Sequence, residues 1–428
     1  MSSDKPPQSK TIVYRSERWK KDHSSIEAKK KAEKSNKSEY NFCGCKNIKQ
    51  DYQASLTEKY NAGVALLEEK SLLANAHVTS PVPSPRTQGY RTHAKLAVRA
   101  ASKSIVGKKD DGRFAIGMFL PNTHKVIDHT YCALHRDSIN RLVKDLKPAL
   151  NDSSLEPYDE DNHSGDLRYI AIRASHITEE LMLTFICTDE SKKMELKALV
   201  LKLRNQEHNI SAAHLNINDK KTNTIFGGVS KRLAGSDRLR EELCDLSFEI
   251  GPTSFFQVNP WQAENVYRRV EQIAGLDKGQ SIAWDLYCGT GQISMLLANA
   301  GYRTIGIEEN PQATRDAQKN VVRNHIENTP QFVAGRVEDI TENFPAWAQE
   351  PKLIVVNPSR KGLSQSVREF LKEALQGSDT RMIYVSCDIN TLVRDLEDLK
   401  STGKKTVQLE SFDMFPFTDK MEWLAVLN

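Results

Sequence analysis

The residues best suited to chemistry lie in the last third of the chain. Asp285-Leu-Tyr-Cys-Gly-Thr-Gly-Gln292 follows an apolar run and precedes helical spacing, which puts Gly289 and Gly291 at a strand-to-helix turn. Glycine there lets the backbone approach a ligand closely. Glu308 follows Asp285 by 23 residues, at the end of the next apolar run, where an acid can accept hydrogen bonds from a ribose diol. A dinucleotide turn would carry a third glycine where Ser294 stands. Asp-x-x-Cys-Gly-x-Gly suits S-adenosylmethionine better, because that ligand has no pyrophosphate to seat. Cys387 ends another apolar run and precedes Asp388-Ile-Asn-Thr, a helix start. A helix N-terminus lowers a thiol pKa. Asp388 opposes that effect unless it turns away to cap the helix. Glu422 sits between Met421 and Trp423, where apolar neighbours raise a carboxyl toward the range of a useful base. A strand-ending cysteine is ordinarily inert packing, and Cys132, Cys187, Cys244 and Cys288 read that way.

The elements that must hold these residues alternate strand with helix from about residue 248. Apolar runs at 281–287, 303–308, 353–356 and 382–385 read as buried strands, separated by helical spacing such as Ala313, Ala317 and Val321. That order predicts an α/β fold with a parallel, doubly wound, Rossmann-like sheet. Val407–Phe412 and Trp423–Leu427 read as closing strands, possible as an antiparallel pair. From 86 to 247 short strands dominate, with helices over 134–148 and 191–205, giving a strand-rich α+β central domain. Leu56, Tyr60, Val64 and Leu67 mark a helix within a Cys-containing segment over 41–85. Ser80-Pro-Val-Pro-Ser-Pro85 reads as a loop or linker. Residues 1–40 read as a basic, mobile arm.

Composition bounds the class. The chain has 428 residues, 39% hydrophobic and 27% charged, with no apolar run long enough for a membrane helix and no secretory h-region at its start. Seven scattered cysteines suggest a reducing compartment, and a cytoplasmic protein is expected. The net charge is +4, and residues 1–40 hold eleven Lys/Arg against six Asp/Glu, so the excess lies in that arm. A basic arm of this kind can hold phosphates.

Four further segments point to one family. They read Phe255-Phe-Gln-Val-Asn-Pro260, Val355-Val-Asn-Pro-Ser-Arg-Lys-Gly362, Tyr384-Val-Ser-Cys-Asp-Ile-Asn-Thr-Leu-Val-Arg-Asp-Leu396 and Phe412-Asp-Met-Phe-Pro-Phe-Thr-Asp-Lys-Met-Glu422. Together they resemble the RNA (uracil-5-)-methyltransferases, most closely the bacterial 23S ribosomal RNA branch. The resemblance covers 248 to the C-terminus and extends more weakly over 41–247. It implies Cys387 as nucleophile and Glu422 as general base. It implies Gln257, Tyr287, Glu308 and Asn357 as holders of S-adenosylmethionine, with no metal, and Arg360 as a group that orients uracil or phosphate. RNA is the implied partner, with 23S rRNA first, no membrane and no obligate protein partner.

The implied chemistry needs these residue types. Carbon 5 of uracil is a poor nucleophile. A thiolate adding at carbon 6 makes the ring an enolate and puts electron density on carbon 5, which can then take a methyl group. A base removes the carbon 5 proton, and elimination frees the thiol. The target base must leave its stack to meet Cys387, and Phe255 or Phe256 could support it by stacking.

The sequence departs from the family at several places. Ser359 replaces the second proline of the Asn-Pro-Pro-Arg loop, and Phe417 and Lys420 replace two histidines. Of the four cysteines that hold an iron–sulfur cluster in the ribosomal branch, only Cys45 and Cys132 match, with Cys43 as a substitute, so the set is incomplete and no cluster is expected. Three rivals stand beside the rRNA reading. One is a tRNA uracil-5 methyltransferase. Another is a non-catalytic RNA-binding or RNA-folding protein that kept the fold. An amino-methylating enzyme would carry an aromatic where Arg360 stands.

Overall fold

The structure, a computed structural model, describes residues 48–105, 112–120, 123–340 and 344–428. The arm at 1–40 and the pair Cys43 and Cys45 lie outside the described residues.

The strands are numbered in chain order. The central part of the chain forms a seven-stranded sheet from β2 (His93–Ala100), β3 (Phe114–Phe119), β4 (Val126–Asp128), β5 (Leu167–Ala174), β6 (Leu181–Cys187), β7 (Ile210–Ile217) and β8 (Val229–Gly235), in the order β4-β3-β2-β5-β6-β7-β8. Only β6 and β7 pair in parallel, across a helix over Lys193–Asn205. That helix and another over Asp137–Asn151 cover one face of the sheet. A hairpin, β9 (Leu239–Leu243) with β10 (Leu246–Ile250), turns through positive φ at Cys244 and Asp245 and packs into the hydrophobic cluster of the next layer.

That layer is an eight-stranded sheet, ordered β1-β16-β17-β15-β14-β11-β12-β13. Its parallel part is β11 (Ile282–Leu286), β12 (Arg303–Glu308), β13 (Gln331–Ala334), β14 (Leu353–Val356) and β15 (Arg381–Ser386). Apolar side chains on both faces explain the continuous apolar runs. Leu353 and Val355 enter one hydrophobic cluster, while Ile354 and Val356 enter the cluster on the other side. The two late runs form an antiparallel pair, β16 (Thr406–Phe412) with β17 (Glu422–Leu427), and β17 also runs antiparallel to β15. The fold is a Rossmann-like α/β sheet with helices on both faces.

The segment before residue 86 is built into this layer. Its helix over Tyr52–Glu69 brings Gly63 so close to Trp423 that a Cβ would lie 2.1 Å from the indole. The short strand β1 (His77–Val78) pairs with β16. The Pro-rich stretch continues that edge rather than running as a loose linker. Val82 N donates to Ser411 O at 2.8 Å, and Ser84 N donates to the Tyr52 hydroxyl at 2.8 Å. Prolines at 81, 83 and 85 leave only the alternate N–H groups, and those two are bonded.

Lys59 of the same helix reaches the loop between β16 and β17. Its ammonium lies 2.5 Å from Asp413 and donates to the carbonyls of Phe415, Lys420 and Thr418. Asp413 is fully buried. Lys59→Met is therefore expected to cost about 3–5 kcal/mol, because it leaves a buried carboxylate without its counter-charge. Urea denaturation measures this, and an unchanged midpoint would show that Asp413 finds compensation elsewhere.

Candidate active site

In an open parallel sheet, ligands bind outside the carboxyl ends of the strands, where the strand order reverses. Here the reversal falls between β11 and β14. β11 ends at Leu286, and Asn357, just after β14, donates its backbone N–H to Leu286 O at 3.3 Å. Tyr287 follows β11 with a positive φ of 67°. Gly289 and Gly291 also have positive φ, 57° and 86°. A Cβ on Gly289 would meet only the Gln292 side chain, at 3.9 Å, so this part of the turn faces open space. At Gly291 a Cβ would lie 2.9 Å from Phe332 and 3.0 Å from Ala317. Gly291→Ala is expected to destabilise the turn by about 1–3 kcal/mol. Calorimetric titration with S-adenosylmethionine should show weakened binding, and unchanged binding would detach the turn from the cofactor.

Glu308 ends β12 beside that turn. One carboxylate oxygen accepts from Gly289 N at 3.0 Å and the other from Asn310 N at 2.9 Å. Burial raises its pKa, against the lowering effect of those two amides. Each oxygen keeps a free lone pair for a diol. Gln257 is buried and donates to the Tyr267 hydroxyl at 3.2 Å.

Asp285 adds a feature that the sequence showed only as the first residue of a motif. It is fully buried, and Oδ2 accepts from the Ser294 hydroxyl at 2.5 Å, while Oδ1 has no hydrogen-bond partner. Burial pushes its pKa up to about 7, against the Ser294 hydrogen bond. A buried, unsatisfied acceptor beside a glycine turn suits a ligand that brings a cationic donor. S-adenosylmethionine has an ammonium group and a ribose diol, so Asp285 and Glu308 fit its two polar ends.

Cys387 and Glu422 come together through strand pairing. Ser386 of β15 stands opposite Trp423 of β17, so Cys387, the residue after β15, falls opposite Glu422. Cys387 is partly exposed, and Glu422 is buried. Burial, then the Glu422 carboxylate, push the Cys387 thiol up to about 11; Asp388 adds to this and Arg360 opposes it. The expected lowering by the helix start is thus overturned, because desolvation of the thiolate outweighs the helix N-terminus. Asp388 does cap the helix over Ile389–Leu399, accepting from Asn390 N at 3.1 Å. Burial raises Glu422 to about 8, again opposed by Arg360. Arg360 therefore acts electrostatically on both groups. Tyr267, within electrostatic reach of both Glu422 and Asp285, carried no signal in the sequence.

The two departures have different surroundings. Phe417 is buried with Tyr90, Cys132 and Leu134, and meets Tyr52 edge to face at 5.8 Å. Lys420 is paired with Asp388. Phe256 is core, whereas Phe255 is 61% exposed. Among the described residues no group of three or more His, Cys, Asp or Glu is placed to hold a metal, and no helix is long and apolar enough to cross a membrane.

A family profile described as tRNA (Uracil-5-)-methyltransferase matches residues 52–428. An uncharacterized RNA methyltransferase of Oceanobacillus iheyensis is 34% identical over 324 residues, covering 76% of this chain and 69% of the relative. One from Geobacter sulfurreducens is 33% identical over 384 residues, covering 90% and 74%. Among solved structures, the Pyrococcus abyssi tRNA (uracil-54, C5)-methyltransferase in complex with S-adenosyl-L-homocysteine superposes with a TM-score of 0.68 at 25% identity, covering 90% of this chain and 86% of that one.

Proposed function

We propose, for a chain that belongs to the tRNA (uracil-5-)-methyltransferase family, that Cys387 is the nucleophile and Glu422 the base of an S-adenosylmethionine-dependent methylation of uracil carbon 5 in RNA. The observation that carries this reading is the meeting of a half-exposed thiol just past β15 and a buried carboxyl at the start of the neighbouring β17, beside the reversal point of the sheet. S-adenosylmethionine supplies an electrophilic methyl group when bound. Gln257, Tyr287, Glu308 and Asn357 hold it in this reading, and Asp285 supplies a further acceptor. Cys387, its proton given up to solvent, adds to carbon 6 as the thiolate; after methylation Glu422, ionised, takes the proton from carbon 5, and elimination breaks the bond from carbon 6 to sulfur and frees the thiolate. Arg360 stabilises the negative charge that builds up on the uracil ring.

The catalytic part is 248–428, and the part that holds RNA is 86–247 together with the basic arm at 1–40. The enzyme is cytoplasmic in this reading. Its substrate is 23S rRNA, on the resemblance of the four motifs to the ribosomal branch. A tRNA substrate is the second reading, favoured by the likeness to the Pyrococcus abyssi enzyme. Labelled S-adenosylmethionine with RNA from a deletion strain tests both. Label in 5-methyluridine of the 23S band supports the first, and label in the tRNA band supports the second. No label in any nucleoside, with RNA still bound, would favour the non-catalytic binder.

Phe255 is assigned to stacking on a base near the target, because its exposed ring lies two residues from Gln257. Phe255→Ala is expected to weaken RNA binding by about 1–3 kcal/mol with little change in thermal stability. Filter binding checks this, and an unchanged affinity would remove the ring from the interface. Affinity should also fall with salt, as phosphate contacts release counterions.

A further inference from the structure

Lys420 belongs to the loop before β17 and pairs with Asp388, the neighbour of Cys387, and the reaction scheme assigns it nothing. Its ammonium lies 2.6 Å from Asp388 Oδ2, while the other Asp388 oxygen accepts from the Asn390 amide at 3.1 Å. The pair is only partly exposed, 38% for Lys420 and 15% for Asp388, so solvent does not fully screen it.

The backbone that carries Lys420 is fastened from a distance. Its carbonyl accepts from Lys59 Nζ at 3.2 Å, and its N–H donates to Thr418 Oγ1 at 3.3 Å. The Tyr90 hydroxyl donates to Pro416 O at 3.1 Å, and Asn259 Nδ2 donates to Met414 O at 3.1 Å. Residues from three separate stretches thus hold the loop, and Lys420 reaches Asp388 from a fixed base.

The charged groups around Cys387 come from four places. Glu422 lies on β17, Arg360 follows β14, Asp388 shares the turn with the thiol, and Lys420 belongs to the loop before β17. Asp388 is the carboxylate nearest in sequence, and alone it would oppose a thiolate. Burial acts to raise the Asp388 carboxyl, and Lys420 with the Asn390 amide outweighs it, leaving the group below its ordinary range.

We propose that Lys420 is a positioning residue for the nucleophile. Its ammonium fixes Asp388 in the capping position and cancels its charge, so that a thiolate on Cys387 faces one uncompensated carboxylate fewer. This rests on the reading of Cys387 as the nucleophile.

The test is alkylation of Cys387 by iodoacetamide in the full chain without RNA, followed by peptide mass spectrometry between pH 7 and 11. Wild type is compared with Lys420→Gln, Lys420→Arg, Asp388→Asn and the Asp388→Asn/Lys420→Gln double variant. Lys420→Gln is expected to slow alkylation about three- to tenfold at each pH from 7 to 10, all below the midpoint of the thiol. Lys420→Arg should restore the wild-type profile. In the Asp388→Asn background, Lys420→Gln should change little, because there is no carboxylate left to cancel. A Lys420→Gln profile matching wild type would overturn the proposal. So would an equal Lys420→Gln effect in both backgrounds. A thermal melt of each variant separates loss of folding from loss of charge. Methylation of RNA by the wild type is measured separately, so failure of the uracil reading is visible on its own.

Discussion

Cys387→Ala is expected to lower methyl transfer by about four orders of magnitude or more, since among the described residues no other thiol is exposed to add to carbon 6. The other described cysteines, Cys132, Cys187, Cys244 and Cys288, are all buried. At neutral pH the Cys387 thiol is protonated, with its pKa near 11, so the substitution removes no charge. Stability should change by less than about 1 kcal/mol at this half-exposed site. Binding of S-adenosylmethionine should persist, because the turn at 287–291 and Glu308 do not depend on the thiol. RNA should still bind, but the adduct that survives denaturing gels should vanish. Label transfer, calorimetry and gel shift check the three parts. Methylation that continued in the variant would place the nucleophile elsewhere.

Glu422→Gln is expected to stop the reaction one step later. The thiol can still add and the methyl group can still transfer, but the carbon 5 proton stays. Covalent protein–RNA adduct should then accumulate, while turnover falls about 10²–10⁴-fold. The wild-type pH profile follows from the same group. Burial holds its proton up to a pKa of about 8, so ionised base is scarce at pH 6 and turnover rises through pH 8. The thiol, near 11, adds to the same rising limb.

Stability moves the opposite way. A carboxyl whose folded pKa is raised binds its proton more tightly folded than unfolded. Its contribution is complete below the ordinary 4.5 and is lost as pH rises through about 8. Glutamine has no proton to lose. The variant should therefore gain on wild type progressively between about pH 5 and pH 8 and hold a constant advantage above that, on the order of 3–5 kcal/mol relative to low pH. Equal melting differences at pH 6 and pH 9 would mean that Glu422 is not a buried acid.

The sequence by itself determined the parallel sheet and the places where its strands end. Arg303–Glu308 and Leu353–Val356 form the strands the apolar runs predict, to the residue. The helices over Asp137–Asn151 and Lys193–Asn205 fall within a few residues of expectation. These features are local: periodicity, a glycine turn and a capping aspartate are written in neighbouring residues. The family was legible for a similar reason, since its motifs are short runs at strand ends.

Tertiary structure alone decided the electrostatics. No local rule pairs Cys387 with Glu422, 35 residues on, because their meeting depends on β17 running antiparallel to β15. The helix start after Cys387 suggested a lowered thiol pKa. Desolvation, which depends on everything packed around the sulfur, reversed that sign. The same holds for the loop before Glu422. Lys59 fastens it from 354 residues away in sequence, and Lys420 meets Asp388 across 32, distances over which composition and spacing carry no information. Burial and charge pairing are sums over contacts from separate stretches of chain, so they exist only once the chain has folded.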